Sequence, residues 1–371
     1  MTDKMKVYSK VLNSLKNQLP TANQHHVVVL AMMVAGIVLG KNAQLSRMSL
    51  QIPSSSKPSS LVERFRRLMK NERFETTVTY LPFSEQIIAH LSQHRMFIAM
   101  DGSQVGRGCM TLMVTIIYKK RAIPLVWVVY KGKKGHTTAD RHIAVLQMLA
   151  ELISDEADVV LLGDAEYDTV EMLDWVTANT NWTFVVRSAP QLKLTNNGCQ
   201  YPFRQLLPPS GACTAATNVL FTLKEFGPVT AVAWWDKAVY KKPLYLISNH
   251  HHFVELCDFY AKRFKIETFF SDSKSRGFNI HKSHLSKPAR VNRLLLASVI
   301  AYIWIVYLGA DVAADPSRRS LVDRVDRTDK SLFRLGLDWL DYALTHGLDF
   351  NVLFRPLETS LCPASLSALN T

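Results

Sequence analysis

Cysteine is scarce in this chain and follows no pattern. The 371 residues include five cysteines, with no C-x-x-C pair and no His/Cys spacing suited to zinc. An odd, scattered set of thiols is typical of a reducing compartment. The sequence therefore argues against a disulfide-stapled scaffold and a zinc-ribbon fold, and it predicts a cytoplasmic protein.

Hydrophobic runs of membrane-spanning length are also few. The first 16 residues are polar and charged, so we expect no signal peptide. The apolar run 27–39 is too short to cross a bilayer. The longer run 294–310 contains Ser298, Tyr302 and Trp304, and we interpret it as a buried core helix. The prediction is a protein with no membrane partner.

Acidic residues are outnumbered by basic ones. There are 31 Asp and Glu against 44 Lys and Arg, which gives a net charge of +13. The 48% hydrophobic and 20% charged fractions are those of a globular protein. A surplus of this size predicts a polyanionic partner, with nucleic acid ahead of a membrane surface.

One stretch concentrates the chemistry, residues 260–274, Y-A-K-R-F-K-I-E-T-F-F-S-D-S-K. It has no Gly or Pro, and its apolar spacing predicts a single helix. Tyr260, Arg263, Glu267 and Lys274 are three, four and seven residues apart. At ~100° per residue they share one face of such a helix. That face carries a phenol, two cations and one carboxylate.

Two apolar runs end at further carboxylates. Residues 96–101 and 158–164 are predicted strands that stop at Asp101 and Asp164. Function in α/β sheets sits at the carboxyl ends of strands. With Glu267 these acids form a set of oxygen ligands suited to Mg²⁺ or Mn²⁺. Two such ions ~3.5–4 Å apart clamp the attacking and leaving oxygens of a phosphoryl displacement. Asp168 and Glu166 are alternatives to Asp164.

The pattern Y-x2-R-x3-E-x6-K resembles that of the DDE cut-and-paste transposases of bacterial insertion sequences. Asp101-Gly-Ser resembles their first acidic motif and Asp164-Ala-Glu-Tyr-Asp their second, over residues 95–310. The resemblance implies an RNase H-like core. It also implies that Asp101, Asp164 and Glu267 are catalytic and bind two Mg²⁺ or Mn²⁺ ions, the first acid of the second motif being the ligand.

The implied activity is that of a metal-dependent DNA transposase, both nuclease and strand transferase. It would act as a homodimer on terminal inverted repeats and target DNA, in the bacterial cytoplasm with the nucleoid. Two alternatives stay open: a structure-selective nuclease with the same metal site, and a non-catalytic, transposase-derived repressor. The residues predicted to contact DNA are Tyr260, Arg263, Lys274, Trp234, Trp235, Lys282 and Arg290.

The two tryptophans have a second interpretation, as buried strand residues. Flanking lysines are compatible with base stacking, and both interpretations stay open. Hairpin-forming relatives tend to have a Trp at the start of the strand before the key helix, where this chain has Pro243-Leu-Tyr245. A basic helix near residues 60–73 is interpreted either as a DNA contact or as a solvated face.

The predicted fold class is α/β, in three regions. Residues 1–90 form a helical DNA-binding region. Residues 91–310 form an RNase H-like mixed sheet of order β-β-β-α-β-α-β, interrupted at about 188–242 by a β-rich insertion or an irregular excursion. Residues 311–371 form a helical C-terminal region.

Overall fold

The computed structural model describes residues 2–133, 135, 137–207, 212–324, 327 and 329–355. The chain divides into two compact units, Met1–Ala301 and Tyr302–Thr371. The final part of the predicted C-terminal region, 356–371, lies outside the described residues.

Residues 2–90 are mostly helical, as predicted. The second of these helices is apolar on all sides and almost wholly buried. The fourth begins with a proline in its first turn, where the missing N–H costs no hydrogen bond. The five helices are α1 (Asp3–Gln18), α2 (Gln24–Gly40), α3 (Leu45–Ser49), α4 (Pro58–Lys70) and α5 (Thr76–Leu91).

The centre of the first unit is a sheet that has ten strands within the described residues. Its first half contains β1 (Met96–Gly106), β2 (Cys109–Tyr118), β3 (Arg121–Lys131), β4 (Val159–Gly163) and β5 (Thr183–Arg187). The first three strands form an antiparallel meander, and β4 and β5 run parallel to β1. The crossover helices are α6 (Ala139–Ala150) and α7 (Val170–Asn179). The strand order β3-β2-β1-β4-β5 confirms the RNase H-like mixed sheet.

The predicted insertion is β-rich, and it extends the same sheet. Its strands are β6 (Lys193–Asn196), β7 (Cys199–Pro202), β8 (Cys213–Phe221) and β9 (Phe226–Trp234). They pair antiparallel, and β9 joins β10 (Leu244–Ser248), which pairs with β5. The order therefore continues as β5-β10-β9-β8-β6-β7.

The prediction of one helix over 260–274 is wrong. The chain forms α8 (Phe253–Arg263) and α9 (Ile266–Ser273), separated by a turn at Phe264 and Lys265. The amides of Lys265, Glu267 and Thr268 bond three residues back instead of four. The Thr268 hydroxyl also donates to the Lys265 carbonyl. These tighter bonds break the helix without Gly or Pro.

The prediction that the first strand ends at Asp101 is also wrong. β1 continues to Gly106 because β2 remains paired with it as far as Cys109. Only the parallel pairing with β4 ends at Met100. Asp101 therefore lies inside a strand, at the point where its parallel neighbour stops.

The second unit is helical in the part that the structure describes. It contains the end of α10 (Pro288–Ala314), then α11 (Pro316–Ser320) and α12 (Leu332–Thr345). Gly309 and Gly336 let two backbones touch, since a Cβ on Gly309 would lie 1.9 Å from the Leu332 carbonyl oxygen. Among the described residues, α10 alone has the length and hydropathy to cross a membrane, and its apolar window is entirely buried.

Candidate active site

Two adjacent strands place Asp101 and Asp164 side by side. Met100 of β1 is the register partner of Gly163 of β4, so the two acids follow at the same level of parallel strands. Each carboxylate accepts a local backbone hydrogen bond. The Gly102 amide donates to Asp101 Oδ1 at 2.7 Å, and the Ala165 amide donates to Asp164 Oδ1 at 2.8 Å. These bonds orient both carboxylates where the parallel pairing of β1 and β4 ends.

The third acid comes from the helix pair. Glu267 lies in the first turn of α9, where the unpaired helix amides favour a negative charge. Its side chain is 60% exposed, against 14% for Asp101 and 35% for Asp164. The site therefore has a buried side formed by the sheet and an open side formed by α9.

Arg263, the last residue of α8, contacts all three acids. Its Nη1 lies 3.7 Å from Asp101 Oδ2 and 4.0 Å from Asp164 Oδ2. Its Nη2 donates to Glu267 Oε1 at 3.2 Å. The Arg263 side chain is 4% exposed. Three carboxylates that are far apart in the sequence therefore converge on one buried cation, although their role as metal ligands stays a prediction.

The charge on Arg263 is well supported. Burial works to lower its pKa, but Tyr260 and the three neighbouring carboxylates raise the pKa above the ordinary arginine value. Arg263 is therefore a permanent positive charge at the centre of the acid cluster.

A second cation at this site was missed by the sequence interpretation. Arg187 is the last residue of β5, and its Nη1 lies 3.3 Å from Asp164 Oδ1. Half of its side chain is exposed. Its position at the end of a strand next to β4 was the available signal, because neighbouring parallel strands end at the same edge.

The other two residues of the predicted helix motif have different settings. Tyr260 is fully buried, and within the described atoms its hydroxyl has no hydrogen-bond partner. Burial raises the pKa of Tyr260 well above its usual range. Lys274 caps the end of α9, and its Nζ donates to Ser103 Oγ at 2.5 Å. Ser103 is two residues from Asp101, so Lys274 lies beside the first acidic motif.

The insertion reaches the same area through Tyr240, which the sequence interpretation also missed. The ring of Trp234 packs edge-on against Tyr240 at 5.1 Å, and Trp235 Nε1 donates to the Tyr240 carbonyl at 3.1 Å. Tyr240 in turn lies 6.0 Å, between ring centroids, from Phe264, the neighbour of Arg263. Both tryptophans are half-buried. They are therefore neither fully buried strand residues nor fully exposed stacking surfaces.

Lys282 and Arg290 belong to a different part of the first unit. The Lys282 carbonyl accepts from Gln44 Nε2 at 2.9 Å. Arg290 lines an open groove together with Arg66 and Lys70 of α4. The structure therefore groups these two residues with the N-terminal helices.

Helix α4 is amphipathic. Its buried residues are Leu61, Phe65, Leu68 and Met69. Its exposed basic residues are Arg64, Arg66, Arg67 and Lys70. Glu63 on the same helix lies 3.5 Å from Arg66. This helix presents a basic face beside the groove.

The donor set at the acid cluster suits a hard divalent cation, since all three side chains offer carboxylate oxygens. Across the described ranges, no three His, Cys, Asp or Glu side chains are already arranged as a metal centre. The position between the acids is taken by the Arg263 guanidinium. The chemistry of the ligands fits Mg²⁺ or Mn²⁺, provided that Arg263 moves.

A mixed sheet of this order, with three converging acids at one edge, defines a catalytic core of the RNase H-like class. The family described as "Transposase DDE domain" matches residues 95–304, and the chain belongs to this family. A solved piggyBac transposase synaptic complex with hairpin DNA is similar at a TM-score of 0.45 and 12% identity, over 96% of this chain and 83% of that one. No curated protein matches.

Proposed function

We propose that this protein is the cut-and-paste transposase of a bacterial insertion sequence. It would cut the element at its ends and join it to target DNA by two-metal phosphoryl transfer. The observation that carries the proposal is the convergence of Asp101, Asp164 and Glu267 within 4.0 Å of one guanidinium. The family match and the complete Y-R-E-K spacing support it.

The three carboxylates would hold two Mg²⁺ or Mn²⁺ ions. Such ions, when bound, activate the attacking oxygen and stabilise the leaving one. The protein's own part is to fix the acids on different elements. Asp101 and Asp164 are held by backbone amides on the sheet, and Glu267 lies on the exposed side, where DNA approaches.

Cations beside the acids would bind the DNA backbone. Arg263 and Arg187 offer planar guanidinium groups that match two phosphate oxygens. Lys274 offers a point charge, and its bond to Ser103 keeps it near the first acid. Tyr260 would donate a hydrogen bond only after a rearrangement exposes its hydroxyl, which is buried.

The aromatic residues of the insertion would handle a base near the cut. Trp234 and Trp235 are half-buried, and Lys237 Nζ lies 4.8 Å from the ring centre of Trp235. Tyr240 lies between these tryptophans and the acid site. Stacking on such rings tolerates any base, which suits a role in holding an extruded nucleotide.

A longer stretch of duplex would lie along the basic groove. Arg66, Lys70 and Arg290 line this groove. Lys282 is exposed and lies close to Arg290 in the sequence. Phosphate contacts of this kind position DNA without reading its sequence. The partners would be the terminal inverted repeats and target DNA, bound by a homodimer in the bacterial nucleoid.

The direct test uses purified protein, Mg²⁺ and linear DNA that carries the inverted repeats found beside the coding region. We expect release of the flanking DNA. D101N should bind the same DNA but not cut it, because one ligand is lost while the surface charge for DNA is kept. D158N is the matched control: Asp158 directly precedes β4, the parallel neighbour of β1, at the end of the strand opposite to Asp164, and it pairs with Arg95. It should cut normally.

The products separate the alternatives. Joining of the excised ends to a second DNA supports a transposase. Cleavage without joining would indicate a structure-selective nuclease. Binding that neither needs Mg²⁺ nor leads to cleavage would indicate a repressor and overturn the proposal.

A further inference from the structure

We infer that Arg263 is a positioning residue that acts as an internal cation, gathering the three acids before metal binds and leaving them for a DNA phosphate when metal enters. The inference rests on the proposed function. It adds that metal binding and DNA binding at this site depend on each other through one side chain.

The geometry of the guanidinium is the first support. One nitrogen lies between the two aspartates and the other donates to Glu267. Among the described residues, Arg263 is the only cation that forms ion pairs with all three acids. Arg187 contacts Asp164 alone among them. Arg263 therefore supplies the positive charge that lets three carboxylates lie close together.

The setting of the side chain is the second support. The guanidinium carbon lies 4.4 Å from the ring centre of Phe264 and 5.8 Å from that of Tyr260. Those faces favour a cation and hold it in place. Arg263 also ends α8, and the following turn uses short i to i−3 bonds. The side chain thus sits at a joint between two helices.

A divalent ion and the guanidinium cannot share the space between the acids. At separations of about 4 Å like charges repel, and the buried Arg263 side chain, 4% exposed, is little screened by water. Entry of Mg²⁺ therefore requires Arg263 to withdraw. A phosphate of bound DNA is the natural acceptor, because arginine matches two of its oxygens. Within the described part of the chain, the ion pairs of Arg263 are all with these three acids.

The expected behaviour is a reciprocal coupling. DNA should tighten metal binding, and metal should tighten DNA binding by the same factor. The protein alone should hold divalent ions weakly, so the cutting centre is completed only on DNA.

The test measures free Mn²⁺ by electron paramagnetic resonance in titrations of the full chain, with and without a short DNA duplex. We expect duplex to tighten Mn²⁺ binding to the wild type by about tenfold, a normal size for coupled sites. R263M keeps an unbranched side chain against Phe264 and loses the charge. It should bind Mn²⁺ about tenfold more tightly than the wild type without DNA, and duplex should add little.

The matched control is R121M. Arg121 forms another buried ion pair, 2.8 Å from Asp272 on α9, and among the described ion pairs it contacts none of the three acids. Its loss should lower stability but leave Mn²⁺ affinity and its dependence on duplex unchanged. D101N should lose Mn²⁺ binding in both conditions.

The outcomes are distinguishable. If D101N loses Mn²⁺ binding but R263M binds it no better than the wild type, Arg263 is not an internal cation, and the proposed function stands. If neither the wild type nor R263M binds Mn²⁺ even with duplex, the metal site and the proposed function both fail. If R263M does not fold, the wild type alone decides: no effect of duplex on its Mn²⁺ affinity overturns the inference.

Discussion

At the scale of single residues, His142 is the buried group with the clearest consequence for stability. It lies in α6, fully buried, and within the described atoms neither ring nitrogen has a hydrogen-bond partner. Its ring packs against Tyr167 at 4.8 Å. Burial lowers the pKa of His142 from 6.5 to about 4, because the charged imidazole has no solvation there.

This shift predicts an acid-sensitive fold. Between pH 6.5 and about 4 the unfolded chain takes up this proton before the folded chain does, so the free energy of unfolding falls as the pH falls. At 1.36 kcal/mol per pKa unit the loss is about 3 kcal/mol across the window. H142L should lack that part of the pH dependence, as measured by denaturant unfolding at pH 7 and pH 4.5. An identical pH dependence in both proteins would contradict the assignment.

Sequence spacing identifies the residues of the helix motif but does not show how deeply each of them is buried. The spacing of Tyr260, Arg263, Glu267 and Lys274 identifies the motif, but not its exposure. The structure buries Tyr260 and Arg263 and leaves Glu267 mostly exposed. Arg187 and Tyr240 belong to no motif, so only the sheet order and the insertion bring them to the acids.

At the scale of elements, the turn after β4 controls the position of Asp164. The acid caps a short 3₁₀ turn, Ala165–Tyr167. Tyr167 folds back under the strand, so that a Cβ added to Gly163 would lie 2.9 Å from the Tyr167 Cβ and 3.1 Å from Val186 Cγ1. The turn therefore needs glycine at the end of the strand for lack of space.

Gly163→Ala should push this turn away from the sheet. Overpacking of this kind costs typically about 1–3 kcal/mol, and Asp164 should move with the turn. We expect lower thermal stability and slower DNA cleavage. Gly102→Ala is the control, because a Cβ there would meet its nearest atoms at 3.6 Å and 3.7 Å, an ordinary contact. Equal effects from the two substitutions would contradict the steric explanation.

Helix α4 gives a second test at this scale, between a DNA contact and a solvated face. Arg66 and Lys70 line the groove that Arg290 shares. R66Q/K70Q should weaken binding to any duplex and reduce the slope of log affinity against log salt by as much as about 0.9 per lost phosphate contact. Fluorescence anisotropy at several salt concentrations measures both quantities.

The controls for that test lie on the same helix. R64Q/R67Q removes the same charge from residues outside the lining of the groove and should have the smaller effect. E63Q releases Arg66 from its ion pair and should strengthen binding. If the two double variants behave alike, α4 contributes only general charge.

At the scale of the whole molecule, residues 1–90 are tied to the catalytic core within the first unit. Tyr80 Oη and Ser84 Oγ donate to the backbone of β3, each at 2.7 Å. Arg293 Nη1 donates to the Met69 carbonyl at 2.9 Å, and the Ala43 amide to the Phe278 carbonyl at 2.7 Å. These bonds argue that the helical region does not fold as a free module.

A protease site inserted between Gln93 and His94, which are exposed, tests this. After cleavage the two pieces should stay together in gel filtration, because buried hydrogen bonds and apolar packing join them. They should separate only in denaturant. Separation under native conditions would show that the predicted boundary near residue 90 divides independent domains.

The class of fold and the family could be predicted from the sequence alone, because hydrophobic period and fixed motif spacing are local properties of a chain. The same local signals selected the three acids, whose catalytic role stays a prediction. The sequence interpretation misplaced the end of β1 and the break between α8 and α9, because strand pairing and i to i−3 bonds decide those points. Only the tertiary structure placed Arg263 between the acids. That contact depends on the parallel register of β1 and β4 and on the joint after α8, which no single segment specifies.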